Sequence, residues 1–254
     1  MPESRDSEGK YLYCVIRCDH VPRLTSLGMG ERGDVVYTIH EEDLAAVVSD
    51  SPIVRYDALR RNMMAHTGVI EEVMQDFTVL PVRYGTIAPD AETIRRKLLI
   101  ERREELLALL RDMEGRVELG LKAFWHEDTL FPEIVKTNPA VRALRDSLMG
   151  RPAEETHFER MRLGEMVEAA MEQKREQDME LILSRLRPLV QRLELGSTFG
   201  DRMVLNVALL VDKSSEPAVD KAVQELDASL GDRLMFKYVG SVPPYNFVKL
   251  VMSW

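Results

Sequence analysis

The order of hydrophobic periodicities along this chain predicts an α+β protein of two domains. Three observations carry that prediction. Short β-branched and aromatic runs recur at 11–18, 34–40, 43–50, 77–87 and 116–125. From about Tyr56 onward, stretches with apolar residues at i, i+3 and i+4 separate them. After a charged, helix-rich stretch at 132–195, the pattern begins again with strand, helix and strand.

The elements follow in order. Residues 1–10, MPESRDSEGK, are polar and predict a disordered start with no signal peptide. Tyr11 to Cys18 reads as a strand, and a loop with Gly and Pro runs from Asp19 to Gly33. Two short strands come next, turning through His40 to Asp43 and ending at Ser51-Pro52. A helix is expected with Leu59, Met63, His66, Thr67, Ile70 and Met74 inward. Phe77 to Ile87 is extended around Pro81, which cannot donate to a central ladder and so marks an edge or a strand end. A long helix from about Asp90 to Asp112 puts Ile94, Leu98, Leu99, Leu106, Leu110 and Met113 inward, and Arg116 to Trp125 closes the first part as a strand. The order β-ββ-α-β-α-β is that of an elaborated ferredoxin-like fold, a mixed sheet with helices on one face, over residues 11–130.

The remainder, 131–254, reads as a helical arm plus a small α+β domain with an apolar tail. In the arm, Met161, Val167, Met171, Met179, Ile182 and Leu186 are the candidate core positions, and Pro188 interrupts its end. Met203 to Val211 is a strand buried on both faces apart from Asn206, Glu216 to Leu230 an amphipathic helix, and Arg233 to Val242 a strand.

Composition excludes several functions. The chain has 254 residues and a formal net charge of -9, so its mean field repels nucleic acid and anionic membranes. The basic cluster around Arg95, Arg96, Lys97, Arg102 and Arg103 is interrupted by acids at helical spacing, as on a salt-bridged solvated face. No apolar run approaches the ~18 residues of a bilayer span. With Cys14 and Cys18 as the only cysteines, a disulfide scaffold is ruled out, and a reducing, cytoplasmic setting is expected.

The motifs with chemical precedent do not hold up. Gly28-Met-Gly-Glu-Arg-Gly33 spells GxGxxG, but a loop precedes it and a strand follows, the reverse of a dinucleotide-binding turn. Cys14 and Cys18 have the wrong spacing for a CxxC site and would lie ~13 Å apart along a strand. None of the five histidines sits in HExxH; His66, on the apolar side of its helix, reads as a hydrogen-bonded core or interface residue. No catalytic, metal or cofactor residues are assigned, and no cofactor is expected.

Several segments together resemble the gas vesicle protein F/L family. DLAAVVSDSP (Asp43 to Pro52) is similar to the family's DLAAVVSD segment almost letter for letter, and LPVRYGT (Leu80 to Thr86) resembles its LPxRFGT signature with Tyr84 for Phe. YLYCVI is similar to the opening strand, VELGLKAFW to the strand after the long helix, and Arg162-Leu163-Gly164 falls where the family often places a Gly before a long helix. GSVPPYNFV (Gly240 to Val248) resembles the GPWPPYxFV terminus, with Ser241 and Val242 replacing Pro and Trp. The matches run in order from residue 11 to 248.

The resemblance implies two α+β domains, the first ferredoxin-like, and a non-enzymatic accessory role in gas vesicle formation. The implied partners are the small hydrophobic shell protein and other accessory proteins. On physical grounds the shielding surface is expected at the strand edge beside Pro81 and at the tail residues Pro243, Pro244, Tyr245, Phe247 and Trp254. Two alternatives stay open: the tail packs back across the protein's own sheet, or the fold is a small-molecule-binding regulatory or enzymatic domain. In a further variant the charged arm at 156–195 recruits other vesicle proteins.

Overall fold

A computed structural model describes residues 8–252 and 254. The expected disorder of residues 1–7 lies outside them, whereas residues 8–10, expected to be disordered as well, already belong to the first strand. The chain divides into two compact units, 1–118 with 241–254, and 119–240. The tail thus groups with the first unit, and the expected boundary near residue 130 falls within a helix (Glu127–Thr137) of the second.

In the first unit, β1 (Glu8–Arg17) is central. β2 (Val36–Glu41) and β3 (Leu44–Pro52) form a hairpin whose two-residue turn holds Glu42 at φ 51°. β3 pairs with one edge of β1, while β4 (Val79–Pro81) and β5 (Ile87–Ala88) share the other. The order β2-β3-β1-β4 is that of a ferredoxin-like sheet whose first crossover has exchanged its helix for the loop at 18–35. Its described ladders are all antiparallel, which corrects the expected mixed sheet. The physical reason is occupancy: both edges of β1 are taken, and β6 (Arg116–Trp125) joins the second sheet instead.

Both faces of this sheet are covered, rather than one. A bulge between Leu12 and Cys14 breaks the alternation of β1, so Tyr11, Tyr13, Cys14 and Ile16 all enter one cluster with Val69, Ile70 and Val73. Those three come from α1 (Arg60–Met74), whose buried stripe also holds His66. Leu59 and Met63, expected inward, stay 48% and 39% exposed, because the stripe that meets the sheet begins a turn later. Leu12, Val15, Ala46 and Val48 are fully buried outside that cluster.

The long helix is capped by Asp90, whose carboxylate accepts the Thr93 N–H at 2.7 Å. It runs as α2 (Ala91–Thr93), a π-helical stretch Ile94–Ile100, and α3 (Arg103–Met113). All six expected inward residues are buried. A straight α-helix would not keep them on one face. The π turns accommodate an extra residue, which lets Leu98 and Leu99 both point inward and re-phases Leu106, Leu110 and Met113 onto the sheet. The basic cluster on this helix is salt-bridged, as expected: Arg95 to Glu92, Arg102 to Glu105, and Arg103 to Asp43.

The loop at 18–35 is held by α1. Glu72 accepts the Thr25 N–H and hydroxyl at 2.7 Å each through Oε1, and the Ser26 N–H at 2.9 Å through Oε2. Burial alone would raise its carboxyl, but the hydrogen bonds from Ser26 and Thr25 outweigh it and hold the pKa at about 2. Glu72→Ala is therefore expected to destabilise the protein by about 1–3 kcal/mol and to speed amide exchange at Thr25 and Ser26. Urea denaturation with hydrogen exchange measures both; unchanged exchange there would refute the anchoring role. The GxGxxG segment is a structural part of this loop. Met29 is buried with its N–H on the Tyr13 hydroxyl (3.0 Å), and a Cβ at Gly28 would meet Ser49 at 2.6 Å.

In the second unit the sheet order is β7-β8-β6-β9, with β7 (Arg192–Leu195), β8 (Met203–Asp212) and β9 (Leu234–Val242). β8 and β9 flank β6 and are joined by α7 (Glu216–Leu230), a split β-α-β unit. β8 is buried throughout apart from Asn206 and the terminal Asp212. α4 (Glu127–Thr137) and α5 (Pro139–Leu148) precede the 30-residue α6 (His157–Leu186). Of the expected arm core, Ile182 and Leu186 are buried, Val167, Met171 and Met179 half-buried, and Met161 is exposed. Only the C-terminal part of α6 packs closely, because its first turns carry charges on every face.

Candidate functional site

Pro81 ends β4 opposite Cys14, as its missing N–H dictates. Beyond it the chain turns through Arg83 to Thr86, with Gly85 at φ +81° and the Thr86 hydroxyl donating to the Arg83 carbonyl at 2.7 Å. The Gly85 N–H donates to the Tyr11 hydroxyl oxygen (2.9 Å), so the Tyr11 proton is directed to His66 Nδ1 (3.1 Å). That leaves the hydrogen of His66 on Nε2, which meets the Val82 backbone without a hydrogen bond of normal geometry. The imidazole lies among the rings of Tyr11, Tyr13 and Tyr84 at centroid distances of 5.7, 5.8 and 5.5 Å. Burial pushes its pKa down to about 4, so it is neutral at pH 7. The core reading of His66 is the observed one.

The tail folds back onto the same unit. Pro243 and Pro244 are buried and start a tight turn, with the Val248 N–H donating to the Pro244 carbonyl at 3.0 Å. Glu118, 3% exposed, accepts the Asn246 N–H at 2.9 Å and its side-chain amide at 2.5 Å. Burial raises the Glu118 pKa against those two hydrogen bonds. Farther on, Arg102 donates to the Val251 carbonyl at 2.9 Å, and Val248 and Leu250 are each 5% exposed.

The fold-back creates a cavity of about 390 Å³. α1 contributes Met63, His66 and Thr67; the segment after β4 contributes Pro81, Arg83 and Tyr84; the tail contributes Tyr245 and residues 248–251. Pro81 and Tyr245, singled out from the sequence, thus line one concavity. Tyr245 remains 37% exposed, and burial of its ring pushes the hydroxyl up to about 12. Trp254 lines an adjacent cavity of about 730 Å³ that shares Met63, Arg83 and Tyr84 with the first and also contains Arg55, Tyr56 and Asp57. Pro243, Pro244 and Phe247 line neither; they serve the turn that places the tail.

Sequence reasoning missed Met63, Arg83, Tyr84, Val248 and Leu250 as lining residues. Arg83 and Tyr84 belong to the LPVRYGT segment, but only the contact with the tail, far away in sequence, gives them a shared role. Chemically the site is an apolar concavity with cations on its rim, suited to holding an apolar surface. Elsewhere among the described residues, Cys18, Asp19 and His20 bring potential ligand atoms within 4.8 Å of one another. There the Cys18 thiol donates to the His20 carbonyl (2.8 Å), and Asp19 and His20 are open to solvent. Cys14 and Cys18 are free and buried.

The family model for gas vesicle synthesis protein GvpL/GvpF matches residues 9–249. The chain belongs to the GvpL/GvpF family. Among its relatives, gas vesicle protein F of Streptomyces sp. (strain CB03234) is 30% identical over 241 residues, 94% of this chain and 99% of the relative. Gas vesicle protein F of Nostoc sp. (strain PCC 7120 / SAG 25.82 / UTEX 2576) is 25% identical over 96% of this chain and 99% of its own length. The crystal structure of GvpF from Anabaena sp. PCC7120 superposes with a TM-score of 0.83 at 25% identity, covering 97% of this chain and 100% of that one. That of GvpF from Microcystis aeruginosa gives 0.78 at 25% identity, over 95% and 99%. The α+β fold and the resemblance read from the sequence therefore both hold for a GvpL/GvpF protein, and family membership supports an accessory role in gas vesicles. Among the described residues, no helix is long and apolar enough to cross a membrane.

Proposed function

We propose that this chain is a non-enzymatic, cytoplasmic accessory protein that binds the small hydrophobic shell protein of gas vesicles, keeps it from aggregating and assists assembly. The observation that carries this reading is the cavity where the Pro81 turn, α1 and the folded-back tail converge. An exposed apolar shell segment would otherwise self-associate; covering it contributes about 25 cal/mol per Å² of apolar area. Because Glu118 and Arg102 already hold the tail, little ordering entropy opposes binding. The opening is small, which favours a reversible complex that can hand the subunit on to a growing shell.

The test is co-expression with the shell protein, affinity capture and measurement of soluble shell protein. Wild type is expected to co-purify with it and raise its solubility. Tyr245→Ser with Met63→Ser, both at exposed positions, should weaken capture about tenfold at unchanged melting temperature. A folded wild-type chain that leaves the shell protein unbound and insoluble overturns the reading. A small metabolite that raises the melting temperature at stoichiometric concentration would favour the ligand-binding alternative instead.

A further inference from the structure

The groove has a charge pattern opposite to that of the protein. The chain carries a formal net charge of -9, and Arg17, Arg32, Arg95, Arg102 and Arg103 of the first unit each pair with a carboxylate. Arg55, Arg83 and Lys249 do not: none forms an ion pair with a described residue, and all three are exposed. They line the two adjoining cavities, where Asp57 is the one carboxylate among the lining residues. Glu71 is close enough to act on the Tyr245 hydroxyl but does not line either cavity.

His66 adds no positive charge to the apolar floor, so charge and hydrophobicity are segregated along the groove. The end at Pro81, Val248 and Leu250 is apolar; the end at Arg55 and Arg83 is cationic, and the half-buried Tyr84 and Trp254 flank it. The start of α1 reinforces this second end. Leu59 supplies no side-chain cap, no acid lies in the first turn, and Ala58 and Met63 place that turn beside the larger cavity.

We infer that the groove selects an acidic amphipathic segment, whose apolar side chains enter the cavity beside Pro81 while its carboxylates pair with Arg83 and Arg55. This rests on the reading of the groove as the shell-protein site, and it specifies which kind of shell segment docks. Guanidinium groups suit that task, since their planar fork holds a carboxylate by two hydrogen bonds. As these charges sit on an open rim, they act on encounter rate and on selection between partners, and they are screened by salt.

The experiment uses two fluorescent synthetic peptides with the same Leu/Ala apolar face, one with Glu and one with Lys on the polar edge, titrated into the full chain by anisotropy. The Glu peptide is expected to bind at least tenfold more tightly than the Lys peptide, and the gap to shrink as salt rises. Arg55→Glu with Arg83→Glu should reverse the preference at unchanged melting temperature; Arg55→Gln with Arg83→Gln should abolish it. Equal binding of the two peptides, binding of neither, or a preference that survives charge reversal overturns the inference. Shell-protein capture is read in parallel. Capture equal for wild type and the charge-reversed chain, without peptide selectivity, defeats the inference and leaves the shell-binding reading standing. Glu-peptide selectivity without shell capture supports the inference about the groove and removes the shell protein as its occupant.

Discussion

Replacing Asp178 with alanine is expected to destabilise the second unit by about 3–5 kcal/mol, the scale for breaking a buried, paired charge. Asp178 lies on α6, 5% exposed, and each of its oxygens is used. Oδ2 accepts the Trp125 indole N–H at 2.8 Å, and Oδ1 accepts from Arg233 at 2.7 Å. Lys174 stands 3.5 Å from Oδ2 and pairs with Glu133 at 2.6 Å, while the Arg175 guanidinium lies 5.6 Å from the Trp125 ring centroid. Removing the carboxylate leaves a buried indole donor and two cations facing one another with one acid between them. Asp178→Asn keeps an acceptor for Trp125 and is expected to lose less. Urea denaturation followed by tryptophan emission measures both. The chain has two tryptophans, so a Trp254→Phe background confines the signal to Trp125. A loss below ~0.5 kcal/mol for Asp178→Ala would show that α6 is held by apolar packing alone.

Acid is expected to weaken the first unit before its carboxylates protonate, and His66 is the cause. Its folded-state pKa is about 4, against ~6.5 in an unfolded chain. A histidine with a depressed pKa contributes stability that is complete above the unfolded value and is lost as pH falls through the window toward the folded one. Between about pH 6.5 and 4 the unfolded chain takes up a proton that the native state refuses, at a total of about 3 kcal/mol. Glu118 works in the opposite sense: its raised pKa adds stability as pH falls, so it offsets part of the loss at the acid end. Glu72, held at about 2, loses its contribution only below the ordinary carboxylate range. Denaturation midpoints taken from pH 7 to 4.5 should therefore fall in wild type and flatten in His66→Gln. In parallel, the His66 ring should stay neutral by NMR to about pH 4. A ring that titrates near 6.5 would mean that the Tyr11, Tyr13 and Tyr84 enclosure is open in solution.

Legibility differed between levels for identifiable reasons. Glu216–Leu230 was readable to the residue because a helix with Pro in its first turn and Gly at its end carries its own boundary signals. The inward face of the long helix was readable too, since burial selects apolar side chains whatever the local hydrogen-bond pattern. The π stretch that makes that face continuous was not, because i→i+5 bonding leaves no period of its own in eleven or so residues. Likewise, alternation in YLYCVI could not reveal that Tyr13 and Cys14 share a face. A bulge is an agreement between two strands, and one strand does not encode it.

The candidate site divides along the same line. Pro81 ended a strand by covalent chemistry alone, and the apolar tail announced itself by composition. His66 read as a core residue from its place on an apolar helix face. Each of these is a local property, set by a residue's own backbone and near neighbours. Whether the tail reached a partner or its own sheet depended on Glu118 meeting Asn246 and Arg102 meeting Val251, contacts between residues remote in sequence. The two alternatives for the tail turned out to be one arrangement: by packing back, it builds the wall of the groove. Local chemistry therefore determined the elements, the fold class and the family. Tertiary structure alone decided the pairing of sheet edges, the cover on both faces and the convergence of Pro81, Met63, Arg83 and Tyr245, because those depend on which distant surfaces exclude water together.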